Sequence, residues 1–67
     1  YKRLVWLYEQ LVSRAPNKAA YWAALASGYA HIGKIDEAVN AARKTVSIDP
    51  NYLAEAKLFV ESLGRQL

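Results

Sequence analysis

Pro16 and Pro50 lie 34 residues apart, each is followed by asparagine, and each ends a stretch of helical periodicity. Proline has no N–H and clashes with the turn before it, so both positions must break a helix. Shifting the chain by 34 residues superimposes the two breaks. It also aligns Val5 with Val39, Val12 with Val46 and Ser13 with Ser47. Five of the 18 positions in residues 1–18 are then identical, whereas residues 19–33 keep one identity, Ala20 with Ala54. Size class survives better there, with Leu25 facing Phe59 and Tyr29 facing Leu63. The chain therefore has to fold as a unit used more than once.

The unit is helical. Leu4, Leu7, Tyr8, Leu11 and Val12 recur at i, i+3, i+4, i+7 and i+8, and Trp22, Leu25, Ala26 and Tyr29 follow the same spacing. So do Ile35, Ala38, Val39, Ala42 and Val46, and then Ala56, Phe59, Val60 and Leu63. No stretch alternates with period two for the length of a strand. The fold class expected is all-α, with helices near 2–14, 18–31, 35–48 and 52–65. Asn17 and Asn51 are the expected N-caps, and Gly33 the expected left-handed stop of the second helix. In the third helix Asp36 and Glu37 come first and Arg43 and Lys44 late, the order that complements a helix dipole. The last helix carries Glu61 and Arg65 as an i, i+4 pair. Gly28, inside the second helix, costs about 1 kcal/mol against alanine and implies close approach by another backbone. The three connections are short, so successive helices should pack antiparallel.

Composition narrows the function. With 67 residues the ceiling is one small domain. No cysteine is present, so there is neither a disulfide nor a thiolate ligand. The longest apolar run, Ala19–Ala26, is eight residues, far short of the roughly 20 that span a bilayer. The nine Lys and Arg residues are scattered rather than gathered on one face, which argues against nucleic-acid binding. His31 is the only histidine, no serine has a nucleophile-elbow context, and no glycine-rich phosphate loop exists. No catalytic, cofactor or metal site is expected. The lack of methionine suggests that residue 1 is not a native start and that the chain is a piece of a longer protein.

A helix–turn–helix unit with a period of 34 is the mark of the tetratricopeptide repeat, and residues 19–52 resemble one complete repeat of that family. Trp22, Leu25, Ala26 and Tyr29 stand where the family has its large, large, small, large series. Gly33 stands at its inter-helix turn, Ala38 at its small second-helix position and Pro50 at its terminal proline. Residues 1–18 resemble the second helix of a preceding repeat, and residues 53–67 the first helix of a following one or a capping helix. The sequence departs from the family at Leu4, Leu11, Thr45, Ala42 and Ala56. The family of half-repeats found in RNA-processing scaffolds is similar in the run from Leu7 to Trp22, but the run from Gly33 to Ala38 fits the tetratricopeptide type better.

The resemblance implies a protein–protein interaction or scaffolding module that takes a peptide or partner helix on its concave face. The alternative is an appended domain that positions a larger enzyme or membrane protein. The implied groove positions are Ala20, Ala23, Ala24, Ser27, Ala30 and His31 in the full repeat. In the last helix they are Ala54, Lys57, Leu58, Glu61 and Arg65. Relatives that grip chaperone C-termini carry basic and amide side chains at such positions. Only Lys57 matches that pattern here, so capture of a carboxylate is not expected. Tyr1, Leu4, Trp6, Leu7 and Tyr8 offer more apolar surface than one helix face can bury, which implies a preceding helix that covers it in the native protein and, for these residues alone, weak self-association through residues 1–8 or fraying of the first turn.

Overall fold

Each helix ends where its local sequence dictates. In the computed structural model, which describes residues 2–66, α1 spans Lys2–Arg14, α2 Ala19–His31, α3 Ile35–Ile48 and α4 Leu53–Ser62. A 3-10 turn, Pro50–Tyr52, leads into α4. No strand is present among the described residues. The protein is thus all-α with four helices. The endings of α1 and α3 and the beginnings of α2 and α4 fall at positions related by the 34-residue shift.

Glycine stops two of the helices. Gly33 has φ +82° and Gly64 φ +77°. In the first case the Gly33 N–H donates to Ala30 O (3.2 Å) and the Lys34 N–H to Tyr29 O (2.9 Å). In the second the Gly64 N–H donates to Glu61 O (2.9 Å) and the Arg65 N–H to Val60 O (3.1 Å). Both are Schellman closures, which satisfy the last carbonyls of a helix and need a left-handed residue. Gly64 therefore ends α4 at Ser62, three residues short of the 65 expected from apolar spacing. Glu61 and Arg65 consequently do not share a helical face. Arg65 instead reaches Asp36 in the first turn of α3, Nη1 to Oδ1 3.4 Å. The caps also differ from expectation. Lys18 rather than Asn17 occupies the N-cap of α2, without a side-chain bond. Asp49 caps the 3-10 turn, its Oδ1 accepting from the Asn51 N–H at 3.0 Å. Asn51 is thus the capped residue and Asp49 the cap, since a carboxylate two residues ahead of an orphan N–H is placed to accept it.

Packing follows chain order. The largest helix–helix contact is α2 on α3, followed by α1 on α2 and α3 on α4. The molecule measures 26 × 25 × 13 Å. The short axis matches two layers of helices at the usual interaxial distance of about 8–10 Å. One core gathers Ala26, Val39, Ala41, Ala42, Ala56 and Val60 between α2, α3 and α4. A second gathers Val5, Val12 and Leu25 between α1 and α2. Trp22 and Tyr29 pack against both. Trp22 is fixed by its indole N–H, which donates to Pro16 O at 2.9 Å, and Lys44 Nζ lies 5.9 Å from its ring centre.

Small residues set the helix spacing. Ala26 is buried and Ala38 is wholly shielded from solvent. Thr45 is buried at 2% exposure, and its hydroxyl donates to Ala41 O at 2.9 Å, so it adds no unsatisfied group. Gly28 is explained by a side chain rather than a backbone: a Cβ there would stand 2.8 Å from Val5 Cγ2. The missing methyl is what lets α1 close on α2.

Candidate functional site

The outward face of α2 is built from small residues. Ala20, Ser27 and His31 are exposed, and Ala23, Ala24 and Ala30 are half-buried beside them. Their spacing keeps them on one side of the helix, while Leu25, Ala26 and Gly28 are buried on the other. On α4, Ala54, Lys57, Leu58 and Glu61 are exposed, with Leu58 open to solvent over 69% of its surface.

Between α2 and α4, with α3 beneath, lies an apolar cleft of ≈ 170 Å³. Ala23 and Ala26 form its α2 wall, and Ala56 and Phe59 its α4 wall. Ala42 and Thr45 close the bottom, and Tyr52 and Glu55 stand at its edge. The expected groove residues therefore divide. Ala23 reaches the cleft. Lys57 and Glu61 border a separate concavity with Leu53 and Gln66. Arg65 lies beyond the end of α4, on Asp36.

The cleft lining was not among the expected groove positions apart from Ala23. Ala42 and Ala56 were marked in the sequence as members of the apolar helical series and, with Thr45, as departures from the repeat pattern. That departure was the available signal, since small residues where the other copy is large leave space.

The ends of the molecule carry the other exposed apolar surface. On α1, Leu4, Trp6 and Leu7 are 50%, 60% and 45% exposed. Tyr1, expected to join them, lies outside the described residues. Tyr8 is half-buried against Tyr21. Trp6 is more exposed than Trp22, as its place on an outer helix implies.

Electrostatics mark one internal contact. The Tyr29 hydroxyl donates to Glu9 Oε2 at 2.5 Å, tying α2 to α1. Burial pushes the phenol up to about 12, and the hydrogen bond and negative charge of Glu9, with Glu37 behind it, act in the same direction. Among the described residues no group of three or more His, Cys, Asp and Glu is placed to hold a metal ion. Among the same residues no helix is long and apolar enough to cross a membrane. Set against models of protein families, curated proteins and solved structures, the chain matches none of them.

Proposed function

We propose that the protein is a protein–protein interaction module of tetratricopeptide type. One complete hairpin, α2–α3, stands between two half-repeats and receives a peptide or partner helix on the face formed by α2 and α4. The observation that carries this reading is the apolar cleft that α2 and α4 border together over α3. It lies beside the exposed small side chains of α2, which let a partner backbone approach closely. The 34-residue correspondence of helix boundaries supports the repeat assignment. So does the order of packing, in which each helix rests on its sequence neighbours, as stacked repeats do.

The test is selection from a displayed random-peptide library, followed by amide-shift mapping of a selected peptide on the 67-residue chain. Shifts should centre on Ala20, Ala24 and Ser27 and on the cleft. Ala24→Glu should weaken binding by about tenfold, as expected for a charge placed against an interface centre, while Ser13→Glu on α1 should leave it unchanged. Shifts confined to α1, or equal sensitivity to both substitutions, would remove the reading.

A further inference from the structure

The two helix junctions related by the 34-residue shift are filled differently. At the α1–α2 junction the rings of Tyr8 and Tyr21 meet at 6.5 Å between centroids, tilted by 52°. Both pack on the core formed by Val5, Val12 and Leu25, as does Trp22. At the α3–α4 junction the corresponding residues are Ala42 for Tyr8, Glu55 for Tyr21, and Ala56 for Trp22. Thr45 stands in place of Leu11. All four of these smaller or polar residues line the cleft. The cleft is thus the place where the rings of Tyr8, Tyr21 and Trp22 at the first junction have no aromatic counterpart at the second.

Its size fits one ring. A dry apolar cavity of about 150 Å³ holds benzene, and this one measures ≈ 170 Å³. Its deep walls are alanine and phenylalanine. The Thr45 hydroxyl is already spent on Ala41 O, so nothing inside calls for a polar guest. The Glu55 carboxylate at the exposed edge is the exception, and it can accept a hydrogen bond.

We propose that this cleft is a socket for one tyrosine side chain of a partner peptide. The ring takes the space that Tyr8 and Tyr21 fill at the other junction, and its hydroxyl donates to Glu55. The inference rests on the reading of the chain as a peptide-binding module and names the side chain that the module selects.

The probe is p-cresol, a tyrosine side chain without a backbone, titrated into the isotopically labelled 67-residue chain. Toluene serves as the same ring without the hydroxyl. Saturable amide shifts should centre on Ala42, Ala56 and Phe59. Toluene should bind about tenfold more weakly, the effect of a hydrogen bond to a charged group, and Glu55→Ala should erase that difference. Ala42→Tyr, which restores the residue of the first junction, should abolish the shifts. Ala56→Leu fills the cleft more modestly and should do the same, should the larger change disturb folding. Shifts that do not saturate, that survive Ala56→Leu, or that centre on Leu4, Trp6 and Leu7 would overturn the socket. The two readings separate in the peptide selection. Selected peptides that bind equally well with their tyrosines changed to alanine would overturn the socket and keep the module. Saturable cresol binding in the cleft, with no peptide selected, would keep the ring site and remove the module.

Discussion

Gly28 and Val5 show how a single atom decides a helix contact. An added methyl at Gly28 gains about 1 kcal/mol of helix propensity. It also stands 2.8 Å from Val5 Cγ2, and overpacking of that kind costs about 1–3 kcal/mol. Val5 is buried and β-branched, so it cannot swing aside cheaply. Gly28→Ala should therefore lower stability in a denaturant titration, and the same change on a Val5→Ala background should raise it. Stabilisation in the parent would show that α1 is free to move. Trp22 is the other decisive residue, since it joins both cores and its indole N–H holds the Pro16 carbonyl. Trp22→Ala should cost about 3–5 kcal/mol, close to the whole stability of a chain this small. Circular dichroism should show a non-cooperative melt, and a melt near that of the parent would contradict the anchor role. Tyr29 gives a pH signature. Its folded-state pKa is raised from 10.0 to about 12. The stability from its bond to Glu9 is thus complete below pH 10 and is lost as pH rises through about 12. The stability difference between the parent and Tyr29→Phe should shrink across that window. A difference constant with pH would mean that the phenol is not protected.

At the scale of the element, helix starts and stops were legible because they rest on local chemistry. Pro16, Pro50 and Gly33 each impose a backbone state that few neighbours can overrule. The end of α4 was missed for a related reason. Apolar spacing runs on through Leu63, while the residue that stops the helix, Gly64, follows immediately and ends it at Ser62. Periodicity reports which face is apolar and not where the backbone turns. The Arg65–Asp36 pair was not legible, because it joins the tail of the chain to the start of α3, far apart in sequence. The cleft depends on three helices meeting, although the pairing of Tyr8 with Ala42 and of Trp22 with Ala56 pointed to its place. The shift also yields a paired prediction. Leu4 corresponds to Ala38, yet Leu4 is half exposed and Ala38 wholly buried. Ala38→Leu should destabilise by about 1–3 kcal/mol through overpacking between α2 and α3. Leu4→Ala should change stability by less than about 0.5 kcal/mol, as surface changes do. Equal effects in thermal melts would show that the two positions are not used differently.

The whole molecule is two thin layers with little depth. Its largest fully buried side chains are Val60 and Thr45, so no single cluster dominates and stability is spread along the chain. In such stacks each helix relies on its neighbours, and the outer helices, with partners on one side only, open first. α1 and α4 also carry the exposed large apolar residues Leu4, Trp6, Leu7, Leu53 and Leu58, which suits a body whose outer surfaces meet other molecules. The most direct test of the account, a central hairpin flanked by two half-repeats, is native-state amide hydrogen exchange on the 67-residue chain. Protection should be highest in α2 and α3, with α1 and α4 opening at lower free energy and independently of each other. Protection in α1 or α4 equal to that of the hairpin, or opening of all four helices in one step, would contradict it.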